Sequence, residues 1–291
     1  MAQVTVSDDI LANIKDRVVL ITGGSSGIGR ATAQLCLDLG ARVVIGDLNP
    51  PNPEFKDTDE AHYLEVNVTS WESLRNMFDQ ADKLFGGIDH VFANAGVGPT
   101  TDFLDINFNE AGELEPPSLR TINVNLLGPL YTINMAQAYM KQLASRRPMK
   151  TGSIVLTASA SSFQNFSAGD YTIAKHGVLG MVRGLVHKLE TEGIIRLNAV
   201  APSWTQTGMI PADYIRSMGV PVQSPEAVAR SVVLLFADET RHGEVIYSSE
   251  GNFWEVNKSE GGLLHMTKTL LFDDDILEGV MRNMNEQAAQ S

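Results

Sequence analysis

The stretch VVLITGGSSGIG, Val18 to Gly29, runs from an apolar segment of strand length through a glycine-rich turn into the helically spaced GIGRATAQLCLDLG. Glycines at 23, 27 and 29 lie between a buried strand and a helix. Without Cβ atoms there, a pyrophosphate can approach the backbone N–H groups at the helix N-terminus, where the helix dipole favours negative charge. Thr22, Gly23, Ser25, Ser26, Gly27, Ile28 and Gly29 are the candidate phosphate-side residues. The spacing is G-x-x-x-G-x-G, and its strand-then-helix context gives it weight.

Working outward from this turn, short apolar runs recur, most of them followed by a longer stretch with helical spacing. After RVVLIT come ARVVIGD, HYLEV, IDHVFAN, GSIVLTAS, IIRLNAVAP and EVIYSS, with helix-like segments such as SWESLRNMFDQADKLF between them. This is the alternation of a parallel sheet covered by helices. The expected fold is α/β: one domain, a doubly wound parallel sheet of about seven strands, with a C-terminal helical extension. The divisions are an N-terminal arm over 1–14, the main domain over 15–251 and an extension over 252–291. PPNPEFKDTDE is too rich in proline and charge for a crossover helix and reads as a loop or single turn. GGLLHMTKTLLFDDDILEGVMRNMN suits one or two amphipathic helices that cover a pocket or a subunit interface.

Composition narrows the function classes. The 291 residues carry 35 acidic and 22 basic side chains, a net charge of −13, with no window that concentrates Lys or Arg. A phosphate-tracking surface for nucleic acid is therefore not expected. The opening MAQVTVSDDI has neither a basic n-region nor an apolar h-region, and no apolar run approaches the ~18 residues of a membrane span. A cytoplasmic protein is expected. Cys36, the only cysteine, excludes an internal disulfide and reads as a small buried hydrophobe. The six histidines form no ligand motif, so no metal site is assigned.

Asp47 ends the second strand, 18 residues after Gly29. An acid there accepts hydrogen bonds from an adenosine ribose, and the sequel Leu48-Asn49-Pro50 offers no cation for a 2′-phosphate. NAD is therefore expected over NADP. Thr22, Gly23, Gly27 and Gly29, with the later motifs in order, resemble the short-chain dehydrogenase/reductase family from about Lys15 to Gly251. The resemblance implies a Rossmann-type sheet. Asn67-Val68 matches the position that contacts adenine, and Asn94-Ala95-Gly96 matches the NAG motif that steadies the sheet and borders the cofactor.

In DYTIAK, Tyr171 and Lys175 stand at i and i+4, on one face of a helix. At about 4 Å and an effective dielectric of about 20, an ammonium attracts a phenolate by about 4 kcal/mol, roughly three pKa units. Lys175 is thus expected to make Tyr171 a usable acid or base near neutral pH. The pair matches the family's YxxxK, which implies that Tyr171 exchanges a proton with the substrate oxygen and that Lys175 also holds the nicotinamide ribose. Asn125 matches the asparagine that supports a relay water, with Asn123 as its neighbour and competitor. Ser159 is the candidate assisting serine by strand alignment, although it precedes Tyr171 by 12 residues where the family has 13. Ser161 is the alternative, and Ser162 and Ser167 read as solvated loop residues.

Pro202 matches the family's Pro-Gly turn with Ser203 in place of glycine, which puts that turn's geometry in question. Thr205 and Thr207 join the cofactor candidates, Thr207 as the contact to the carboxamide. Ser161, Phe163, Phe166, Trp204, Met209 and Ile210 are candidates to line an apolar substrate pocket; core or interface packing is the alternative for the aromatics. The two long helices match those that pair across subunits in the family, and Ala174, Gly177, Gly180 and Gly184 give the second a row of small residues. A homodimer or homotetramer is expected. The functional expectation is NAD-dependent oxidation of a moderately large apolar or aromatic secondary alcohol. A ketoreductase running the other way and a non-catalytic cofactor-binding regulator or scaffold are the alternatives.

Overall fold

The computed structural model describes residues 1–52, 58–99, 103–146, 151–209, 212–268 and six positions between 276 and 287. Its strands are β1 (Ala2–Gln3), β2 (Val18–Thr22), β3 (Arg42–Asp47), β4 (Ala61–Glu65), β5 (His90–Ala93), β6 (Gly152–Thr157), β7 (Ile195–Pro202), β8 (Val245–Ser249) and β9 (Asn252–Glu255). They form one sheet in the order β1-β9-β8-β7-β6-β5-β2-β3-β4. The seven from β2 to β8 run parallel, and the order reverses between β2 and β5. β2, β5 and β7 are buried along their whole length because helices cover both faces, which is why they read as unbroken apolar runs.

The helices are α1 (Asp8–Leu11), α2 (Gly27–Asp38), α3 (Trp71–Phe85), α4 (Arg120–Ile122), α5 (Gly128–Arg146), α6 (Gly169–Glu192), α7 (Ala212–Ser217), α8 (Pro225–Ala237) and α9 (Leu263–Lys268). A π-helical segment, Asn123–Leu127, links α4 to α5. One core lies between the sheet and α3, α5 and α6, and includes Met77, Phe78, Met140 and Val182. The other lies beneath α2, α8 and α1, where Cys36 sits fully buried beside Ala33 and Val232. Ser70 opens α3 by accepting from the Ser73 N–H (3.3 Å), and Gly86 closes it in the left-handed conformation. Ala174 is buried and Gly177 packs on Leu126 of the same chain, whereas Gly180 and Gly184 face open space.

Two expected boundaries move. The break placed at residue 251 falls inside a hairpin, because β9 returns antiparallel along β8 before any helix begins. The arm over 1–14 is also built into the domain: β1 adds to β9, while Leu11 and Ile14 enter the core beneath α8. Among the described residues the sheet thus has nine strands, the two extra ones being short: β1, two residues at the edge, and β9, four residues between β1 and β8. The described part of the β3–β4 connection contains no helix, and residues 53–57 lie outside the described residues. Much of the expected tail helix also lies outside them.

Buried charges hold this end of the sheet together. Arg196 donates from Nη1 to the carbonyls of Leu235 (2.8 Å), Asp238 (3.0 Å) and Arg241 (3.0 Å), and from Nη2 to that of Phe236 (2.8 Å). It caps the C-terminus of α8 where the helix leaves its carbonyls unmatched. Replacement by methionine strands those acceptors. Arg196→Met is expected to lower the unfolding free energy by about 3 kcal/mol in a urea titration; a change below about 1 kcal/mol would remove the capping role.

Candidate active site

At the carboxyl ends of β2 and β5 the strand order reverses, and an open crevice forms there in such sheets. The turn after β2 fits a dinucleotide phosphate on two observations. The Ser26 side chain caps none of the first-turn N–H groups of α2, which leaves them to an outside acceptor, and Ser25 Oγ is buried with no partner among the described residues. Gly29 is required for packing, since a Cβ there would stand 2.1 Å from the Gly23 carbonyl oxygen. Gly27 adopts φ +50°, and a Cβ would meet Thr207 Cγ2 at 3.0 Å, so the loop after β7 folds across this turn.

Asp47 reaches back to the same turn: Oδ2 accepts from the Ser25 N–H (3.1 Å) and Oδ1 from the Asn49 N–H (3.2 Å). Leu48 is exposed beside it. Asn67 accepts through Oδ1 from the Thr69 N–H (3.0 Å) and hydroxyl (2.8 Å), whereas Val68 is buried against Gly128. Asn94 is a staple. Its Nδ2 donates to the carbonyls of Thr22 (3.2 Å) and Gly23 (2.9 Å), and its Oδ1 accepts from Thr157 Oγ1 (3.1 Å), so the amide joins β2 to β6. The Asn94 and Ala95 N–H groups donate to Thr22 Oγ1 (3.1 and 3.2 Å).

Asn125 falls in the π-helical segment and is buried, while Asn123 is exposed. Asn125 Nδ2 donates to the Val97 carbonyl (2.8 Å), and its Oδ1 accepts from the Val97 N–H (2.8 Å), with Gly96 close beside it. The amide fixes the loop that leaves β5.

Ser159 N-caps a short 3-10 turn, Ala160–Ser162, and its hydroxyl lies near enough to the Tyr171 phenol to favour the ionised form. The Ser161 N–H donates to Ser159 Oγ (3.2 Å), while Ser161 Oγ is buried with no partner among the described residues. Of the two candidate serines, Ser159 is the one at the tyrosine. Ser162 is not solvated as expected. It is fully buried, accepts from the Ser159 N–H (3.1 Å) and donates to the Lys175 carbonyl (2.7 Å), which ties the serine turn to α6.

The lysine acts differently from the expectation. Lys175, 4% exposed, donates from Nζ to the Thr157 carbonyl (2.7 Å) and stands 5.6 Å from the Tyr171 ring centroid. Burial lowers its pKa to about 8. The Tyr171 hydroxyl is held above the usual tyrosine value because burial disfavours phenolate, and the opposing influence is the Ser159 hydroxyl. Burial thus outweighs any lowering of Tyr171 by Lys175, whose ammonium stands over the ring and donates to a backbone carbonyl.

Pro202 ends β7, and the Ser203 N–H donates to the Ser248 carbonyl (2.8 Å). Ser203 is not among the described residues with positive φ, so this turn has no need of glycine. Thr205 Oγ1 donates to the Ser203 carbonyl (2.9 Å) and accepts from Gln223 Nε2 (3.3 Å), and Thr207 Oγ1 accepts from the Met209 N–H (3.3 Å). The expected pocket aromatics divide. Phe166 and Trp204 pair edge to face at 5.8 Å, but Phe163 packs on the core beside Tyr247 (6.0 Å). Met209 is exposed next to Gly98, and Ile210 lies outside the described residues.

Residues 17–214 match the model of the short chain dehydrogenase family. The chain is 44% identical over 260 residues to the short-chain dehydrogenase/reductase ascJ of Acremonium egyptiacum, covering 89% of this chain and 87% of that protein. It is 32% identical over 213 residues to (+)-borneol dehydrogenase 1 of Salvia officinalis, covering 71% and 76%. The crystal structure of levodione reductase superposes with a TM-score of 0.68 at 24% identity over 82% of this chain and 98% of that one, a likeness of fold. The chain belongs to the short-chain dehydrogenase/reductase family. It is an oxidoreductase acting on CH–OH groups of small molecules with a nicotinamide cofactor. Among the described residues no helix is long and apolar enough to cross a membrane.

Proposed function

We propose that this protein interconverts a secondary alcohol and a ketone on a moderately large apolar or aromatic molecule, with NAD as cofactor and oxidation as the working direction. The observation that carries the reading is the placement of the Ser159 hydroxyl by the Tyr171 phenol, with Lys175 buried one helical turn on, at the carboxyl end of β6. When bound, the nicotinamide ring takes up or supplies the hydride. Tyr171 exchanges the proton with the substrate oxygen, and Ser159 turns its single O–H from the phenol to donate to that oxygen. Lys175 orients Tyr171 and the nicotinamide ribose, and Asn125 fixes the loop that borders them. The name of the Salvia relative supports a cyclic apolar alcohol.

NAD is favoured by Asp47, whose carboxylate sits at the glycine turn and would repel a 2′-phosphate. Oxidation is favoured because cellular NAD pools are held oxidised. The reductive direction is the second reading, since burial keeps the proton on Tyr171 and a ketone needs a proton donor. A homodimer or homotetramer through α5 and α6 is supported by the open face at Gly180 and Gly184.

The test is a panel of secondary alcohols with NAD and with NADP, followed in the absorbance band of the reduced nicotinamide. Turnover is expected with NAD, and Asp47→Ala is expected to shift the NAD-to-NADP ratio of kcat/KM by at least about tenfold towards NADP, equivalent to about 1.4 kcal/mol. A wild type that prefers NADP overturns the assignment of Asp47.

A further inference from the structure

Between β5 and α4 the chain leaves the sheet, and around residues 107–115 it forms a small hairpin. Phe108 and Leu114 bridge antiparallel, the Asn109 N–H donates to the Glu113 carbonyl (2.9 Å), and the Glu115 N–H donates to the Asn107 carbonyl (2.8 Å). Alternation about that bridge places Ile106, Phe108 and Leu114 on one face and Asn107, Asn109, Glu113 and Glu115 on the other. The polar face is closed by Asn109 Nδ2 donating to Glu113 Oε2 (2.9 Å). The apolar face lies open: Ile106 is 73%, Phe108 62% and Leu114 67% exposed. A two-stranded ribbon is marginal alone, and an exposed apolar face on it marks something that covers it.

Its place in the fold points to the occupant. The excursion starts at the carboxyl end of β5, on the sheet edge that carries the cofactor turn. One root, Phe103, packs beside Gly169 at the start of α6, two residues before Tyr171, where a Cβ would lie 3.6 Å from Phe103 Cβ. The other leads into α4, which packs on α6. Charge narrows the chemistry further. Residues 84–119 contain no Lys or Arg, and the hairpin carries Asp105, Glu110, Glu113 and Glu115, so an anion is repelled where a neutral apolar molecule is not.

We propose that this hairpin is the outer wall of the substrate site and that Ile106, Phe108 and Leu114 select bulky neutral alcohols and ketones over small or anionic ones. The proposal rests on the alcohol–ketone reading of Tyr171. Its test uses affinity in the dead-end complex of a ketone with the oxidised cofactor, where no turnover occurs. Camphor, cyclohexanone and camphor-10-sulfonate are the probes, measured by calorimetry on the full chain. Camphor is expected to bind at least about tenfold more tightly than the other two, a difference of about 1.4 kcal/mol. Ile106→Ser/Phe108→Ser is expected to remove that advantage while leaving cyclohexanone unchanged, and Leu114→Ser alone is expected to lower camphor affinity about threefold. Absent camphor binding, an equal affinity for the sulfonate, or unchanged camphor affinity in both variants overturns the proposal. A change in molecular mass by light scattering with camphor affinity intact assigns the face to a second copy and also overturns it. Because these are binding constants, they stand apart from the fate of the Tyr171 mechanism.

Discussion

Tyr171→Phe is expected to bind the cofactor as the wild type does and to lose turnover by about 10³-fold, within the range for removing a positioned acid or base. The substitution deletes one oxygen. It leaves the ring over which Lys175 Nζ sits at 5.6 Å, and it leaves the Lys175 bond to the Thr157 carbonyl, so the cofactor end is undisturbed. What disappears is the phenol proposed to pass a proton to or from the substrate oxygen. Cofactor affinity from quenching of intrinsic fluorescence and kcat from single-turnover mixing give the two readouts. Turnover within a few-fold of the wild type would eliminate the proposed mechanism, and cofactor binding lost together with turnover would recast Tyr171 as a structural residue.

Ser159 bears on the same proton. Burial raises the Tyr171 pKa and the nearby Ser159 hydroxyl is the influence that lowers it, and burial prevails. The i, i+4 spacing alone therefore does not make this phenol acidic, because burial opposes it. Spacing told which residues share a helix face. It did not tell that the lysine would lie over the ring and spend its proton on a backbone carbonyl.

The same division runs through the fold. Seven parallel strands were legible because strands covered on both faces leave continuous apolar runs, and the turn after β2 was legible because phosphate approach and helix packing both demand glycine. β1 and β9 were not, since strands of two and four residues are too short to show a period. Partners made of backbone leave no mark in composition. Thr157 is legible as the end of a strand but not as the acceptor for Lys175, and Val97 gives no sign that it will bind both ends of the Asn125 amide. Glu255 is the extreme case: a charged residue near the chain's end, it is buried and accepts from the N–H groups of Val245, Asn257, Lys258 and Ser259. A polar residue's type shows what it can bond to, whereas the fold alone decides which carbonyl or N–H it meets.

Lys175→Met is expected to abolish turnover and yet raise stability near neutral pH. The lysine titrates at about 8 in the fold and at 10.5 when free, so folding holds a charge where burial disfavours it. A gap of that size corresponds to about 3 kcal/mol of destabilisation below pH 8, against which the bond to the Thr157 carbonyl returns about 1 kcal/mol. Methionine has nearly the same reach and no charge, so a net gain of about 2 kcal/mol is expected at pH 7. The sign follows from proton counting: between pH 8 and 10.5 the unfolded chain binds more protons than the folded one, so wild-type stability rises with pH in that window relative to the variant. Urea midpoints of the two proteins should therefore approach each other above about pH 8 and cross near pH 10, where the remaining charge penalty equals the lost hydrogen bond. A variant less stable than the wild type at pH 7 would show that the ammonium is satisfied by its surroundings. The predicted crossing with activity absent throughout would instead show that this lysine is kept for the reaction at a cost to the fold.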